Sequence, residues 1–159
     1  MAKVIAEQEY VDRTWIIWLR TVLIGAGLGV VFWILTLLLN NYVIEPLACR
    51  DIATANACLT TYSLSGNIAA IMTGAVGLLV MVRMGVFRPI ILALATIALL
   101  WDLAALSAGL FWLESLAWSI ILYAASYGLF AWIARYSRLW MAVVLSVLII
   151  LIIRIALVL

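Results

Sequence analysis

The feature that most constrains this chain is a succession of apolar runs at residues 15–39, 66–82, 89–112, 116–134 and 139–158, each bounded by polar or charged residues. Each is close to the length of a bilayer crossing, because a hydrocarbon core of about 30 Å is spanned by roughly 20 helical residues at about 1.5 Å each. At that depth no water is present to bond backbone N–H and C=O groups, so they must be satisfied inside a helix or a closed barrel. Barrel strands would read as short segments of alternating polarity, and none is present. Composition agrees: 70% of the 159 residues are hydrophobic and 10% are charged, against about half and a quarter in soluble domains. The expected fold class is therefore an all-α integral membrane protein, a five-helix transmembrane bundle forming one domain over residues 1–159, with the lipid bilayer as its first partner.

Residues 1–13 are polar and mixed in charge, with no apolar stretch ending in a small-residue cleavage site, and read as a short tail rather than a cleaved signal. Trp15, Trp18 and Arg20 then suit an interfacial helical turn, with indoles at headgroup depth and an arginine reaching outward. Gly25 and Gly29 form a GxxxG spacing in the first run, and Gly74 and Gly77 lie on a small-residue face of the second; both predict close helix packing. Pro89 suits the first turn of the third helix, where its missing N–H would be unpaired anyway. Glu114 marks a short turn, and Ser115 is placed to cap the fourth helix. The eight tryptophans mostly fall near run ends, as aromatic belts do, and only Trp101 is placed deep.

The one long polar interruption, from Asn40 to Asn67, holds both cysteines, Cys49 and Cys58. Orientation follows from the basic residues. A cytoplasmic N-terminus puts Lys3, Arg13, Arg20, Arg83, Arg88, Arg135 and Arg138 on that side and leaves Arg50 and Arg154 on the other, a strong bias over short loops. The C-terminus is then extracytoplasmic, and so is the loop at residues 40–65. A plasma (inner) membrane location would put that loop in an oxidising compartment, where a Cys49–Cys58 disulfide would form and persist. Closing a loop of about ten residues contributes about 2 to 3 kcal/mol in the chain-entropy account.

Asp102 is the chemical focus, because a carboxylate near the middle of a span costs about 2.5 to 3.5 kcal/mol on insertion scales. Counted from the cytoplasmic ends of their runs, Asp102 and Arg154 lie at similar depths, so they would meet if the third and fifth helices are neighbours. Tyr123, Ser126 and Tyr127 pass through similar depths on the fourth and complete a predicted intramembrane polar cluster. Its structural reading is an ion pair fixing helix register, or an anchor for a partner subunit's basic residue. Its functional reading is a protonatable carboxylate in a transport path, favoured if Arg154 turns away. No pair of half-helices interrupted by glycine or proline is apparent.

Catalytic chemistry finds little footing. The chain has no histidine, which removes the usual proton-transfer residue and the commonest metal ligand. No serine has a plausible base, and no phosphate-binding loop or metal spacing appears. The cysteines lack the close spacing of a redox-exchange pair. No cofactor is therefore expected, no metal, and, with a net charge of +2 and no basic run, no nucleic-acid partner. Span number and tryptophan content are similar to those of the translocator (tryptophan-rich sensory) family. The Pro- and Trp-containing loop signature of that family is missing, with Pro46 and Pro89 the only prolines, so no family is assigned. The functional expectation is a non-enzymatic accessory or structural subunit of a larger membrane complex, bound to other membrane subunits or to itself. The alternative is a small transporter or channel with Asp102 as its ion- or proton-binding carboxylate.

Overall fold

The computed structural model describes residues 2–48, 61–85, 89–134 and 139–158, with side chains described at 15–47, 61–85, 89–134 and 140–156. All regular structure among these residues is helical. Helix α1 (Ala2–Leu39) runs without interruption into a π-helical turn (Asn40–Ile44) and then α2 (Glu45–Ala48). Next come α3 (Thr61–Arg83), α4 (Pro89–Leu99), α5 (Leu103–Ser107), α6 (Trp112–Ala134) and α7 (Leu139–Val158). Three helical stretches are long and apolar enough to cross a membrane: Trp15–Leu47, Thr61–Arg83 and Trp112–Ala134. Pro89–Leu99 and Trp140–Ala156 are shorter apolar helices. Among its described residues the protein is thus all-helical, and its three long apolar helices mark it as membrane-embedded.

Several expected boundaries are corrected. The polar stretch expected as a loop at 40–65 is helical at both ends, through Ala48 on one side and from Thr61 on the other. A proline inside an α-helix lacks one donor and clashes with the carbonyl four residues back. The π turn just before Pro46 widens the spacing, and the Glu45 N–H donates to the Asn40 carbonyl five residues earlier, so the chain stays helical past the two asparagines. Cys49 and Cys58 both lie outside the described residues, and the expected disulfide with them.

The run at 89–112 is not one helix. α4 contains 11 residues, about 16 Å of helix, and ends at a break over Leu100–Asp102 before the single turn of α5. The helix expected fourth, α6, begins at Trp112 rather than at 116. There the Phe111 N–H donates to the Glu114 carboxylate at 3.4 Å, so Glu114 reaches back to cap α6 rather than marking a turn, and Ser115 is buried within it.

Helices α1 and α6 pack antiparallel along the stretch of α1 from Trp18 to Trp33. The Trp18 indole N–H donates to the Gly128 carbonyl at 3.0 Å, and at the other end the Trp33 and Trp112 rings are 6.4 Å apart. The close approach between them rests on glycine. A Cβ on Gly25 would sit 2.8 Å from the Cβ of Tyr127, and one on Gly29 would sit 2.6 Å from the Ser119 carbonyl oxygen. Helix α3 closes a third side, where Gly77 faces Leu28 of α1 and Tyr127 of α6. Tyr123, Tyr127, Phe130, Leu28, Phe32 and Met81 fill the middle. Counting turns outward from the level shared by Gly77, Leu28 and Tyr127, Arg20, Arg83 and the C-terminal end of α6 gather at one end of the bundle. Hydroxyls inside the helices bond their own backbone one turn back, as Thr36 does to Phe32, Thr96 to Leu92 and Ser119 to Ser115, which satisfies them where water is absent.

Candidate functional site

The break between α4 and α5 gathers a set of half-buried charged and polar side chains, Asp102, Arg154, Asn67 and Ser63. Asp102 is the one non-glycine residue with a positive φ among those described, at φ 65° and ψ 13°. Aspartate visits this left-handed region more readily than most residues, because its short polar side chain bonds locally. The last α-type bond of α4 runs from the Leu100 N–H to the Thr96 carbonyl, after which the Leu103 N–H bonds back only to Leu100. The chain turns at Asp102 and resumes as α5 with the Leu106 N–H on the Asp102 carbonyl.

Asn67 of α3 holds the turn from the side. Its Oδ1 accepts the backbone N–H of Asp102 at 3.0 Å, and its Nδ2 donates to Asp102 Oδ1, also at 3.0 Å. The amide thereby mimics a backbone peptide, bonding main chain and side chain of one residue together. Ser63, one helical turn before Asn67, adds a longer bond from its hydroxyl to the same Oδ1 at 3.4 Å. Two tight packing contacts seat α3 against this segment: a Cβ on Gly66 would lie 2.1 Å from the Ala104 Cβ, and one on Gly74 would lie 2.3 Å from Ile97.

Arg154 arrives from α7 and completes the site. In an unbroken helix the Asp102 N–H would serve the Ala98 carbonyl four residues back; here it is diverted to Asn67, which frees that carbonyl. Arg154 Nη2 donates to the Ala98 carbonyl at 3.3 Å and to the Trp101 carbonyl at 2.6 Å. Nη1 lies 3.8 Å from Asp102 Oδ2, with the side chains 33% exposed for Arg154 and 45% for Asp102. The carbonyl end of a helix carries partial negative charge, so the guanidinium offsets both that end and the carboxylate. A partly exposed pair at this distance contributes about 0 to 1 kcal/mol in water. The short bond to the Trp101 carbonyl is the stronger part of the contact.

Of the predicted cluster, then, Asp102 and Arg154 come together, while Tyr123, Ser126 and Tyr127 sit elsewhere. Tyr123 stacks at a tilt on Phe32 with ring centroids 5.2 Å apart. The Tyr127 ring points its hydroxyl at Gly77. That hydroxyl and Thr73 Oγ1 are both buried and have no hydrogen-bond partner. Ser126 donates to its own helix at the Leu122 carbonyl. The two residues that do bond Asp102, Asn67 and Ser63, were assigned by sequence to the polar interruption or its edge. Their spacing of four, which places both on one helical face, was the available signal.

Two grooves flank α6. One, of about 340 Å³, opens between the break and α6 and is lined by Trp101, Leu103, Leu106, Leu122, Ser126 and Ile153 among others. The other, of about 530 Å³, is walled by Trp15, Trp18 and Trp132 over a floor of Ala124, Ala125 and Gly128. The first is apolar apart from Ser126, whose hydroxyl is already engaged, so it lacks the convergent polar groups that orient a specific ligand. No protein family, curated protein or solved structure matches the chain.

Proposed function

We propose that this chain is a small non-enzymatic polytopic membrane protein, an accessory subunit of a larger membrane assembly, whose intramembrane charges serve its own architecture. The observation that carries this reading is that Asp102 and Arg154 are engaged by the chain's own helices, the carboxylate by Asn67 and Ser63 of α3 and the guanidinium by the Ala98 and Trp101 carbonyls of the broken helix. A carboxylate of a transport path has to exchange its partner for an ion or proton, and here a tethered cation is already beside it. The proposed topology has five crossings, with α4 and α5 together forming the third and α7 the fifth. The N-terminus is cytoplasmic and the segment between α2 and α3 extracytoplasmic, in a plasma (inner) membrane; the arginines gathered at one end of the bundle support this. Its partners are lipid and other membrane subunits or further copies of itself, with no cofactor and no nucleic acid.

A second reading, a small transporter or channel, is favoured by one specific feature: a helix interrupted at a charged residue whose side chain is 45% exposed, as at the discontinuous helices of transporters. Proteoliposome flux separates the two. The accessory reading expects a stoichiometric membrane partner after purification in mild detergent, and no ion or proton flux from the isolated protein. Flux that Asp102→Asn abolishes, with folding and assembly intact, would overturn it.

A further inference from the structure

We propose that the break between α4 and α5 is a seat for a guanidinium-class cation, filled in this chain by Arg154 and open to a free cation of that class once that side chain is removed. The proposal rests on the structural reading of the Asp102–Arg154 pair above and names the chemistry that the pair's site selects. Three oxygen sources converge on one point: the Ala98 carbonyl, the Trp101 carbonyl and the Asp102 carboxylate. The seat does not depend on Arg154 to exist. The Asp102 N–H is held by Asn67, which leaves the Ala98 carbonyl free whatever α7 does, and Asn67 and Ser63 aim the carboxylate from α3. The carbonyls also stand at the negative end of α4.

The arrangement selects by shape as well as charge. One guanidinium nitrogen bridges both carbonyls while another faces the carboxylate, a planar fork that uses several N–H donors at once. A hard spherical cation such as calcium takes about six to eight oxygens, more than this break supplies. A quaternary ammonium has no N–H to donate.

The test is thermal unfolding of Arg154→Ala in mild detergent, with methylguanidinium, sodium or tetramethylammonium chloride at equal concentrations far below denaturing ones. Arg154→Ala should melt below the wild type. Methylguanidinium should recover most of that loss, the other two salts none of it, and the wild type should respond to none. Adding Asp102→Asn should remove the methylguanidinium effect. Equal melting in all three salts, or a methylguanidinium effect that survives Asp102→Asn, overturns the seat. Should Arg154→Ala aggregate, its purification with methylguanidinium present throughout is the measurement: a monodisperse species supports the seat and continued aggregation overturns it. Neither result bears on the accessory-subunit reading, which flux and co-purification decide.

Discussion

At Asp102 one backbone turn, one carboxylate and one side-chain amide are interdependent. Removing Asn67 strands the Asp102 N–H in a half-buried setting and leaves its Oδ1 with only the longer Ser63 bond, and an unsatisfied group there costs about 1 to 3 kcal/mol. Asn67→Ala should therefore lower the melting temperature in detergent, and more than Ser63→Ala does, since the Ser63 bond is the longer one. Equal effects would show that the amide does not brace the turn. Tyr127 predicts the opposite sign. Its hydroxyl is buried without a partner and lies 2.3 Å from where a Gly77 Cβ would be. Tyr127→Phe should leave stability unchanged or raise it, because it deletes a desolvated polar atom and keeps the ring. Gly77→Ala should destabilise by about 1 to 3 kcal/mol through overpacking. Part of that loss should return in the Gly77→Ala/Tyr127→Phe double variant, and strict additivity would rule out the hydroxyl as the obstacle.

Between elements, the α1–α6 contact shows what the GxxxG spacing does. A methyl on Gly29 meets backbone of Ser119 and Ile120, which cannot rotate away, whereas a methyl on Gly27 meets nothing within 4 Å. Gly29→Ala should destabilise the bundle by about 1 to 3 kcal/mol, and Gly27→Ala should be close to neutral; circular-dichroism melts of the two variants side by side test this. The glycine spacing was legible as a packing face, but its partner was not, since small residues license close approach to any helix. The break in the third run was illegible for a related reason. Neither glycine nor proline marks it, and the determinant is Asn67, remote in sequence, which takes the N–H that α4 would have used. The π turn before Pro46 is local and did have a sequence signal, because a proline behind an apolar run forces some adjustment of the helix carrying it.

For the molecule as a whole, the proposed topology puts Cys49 and Cys58 outside the cytoplasm in an oxidising compartment. Non-reducing electrophoresis with thiol-reactive probes on intact cells should find them oxidised, and labelled from outside only after reduction. Free thiols that react only after the membrane is permeabilised would reverse the orientation. What sequence determined by itself was the environment: an apolar chain with few charges and no segments of alternating polarity satisfies its backbone in lipid as helices, and the run lengths follow from the thickness of the bilayer. It also marked Asp102 and Arg154 as the charges needing an account. Where helices begin, bend and break was decided by tertiary structure, because in a uniformly apolar chain the hydrophobic pattern is the same on every face and carries no address. Direction comes instead from a few polar groups, Asn67, Asp102 and Arg154, whose bonds join residues 35 to 56 positions apart.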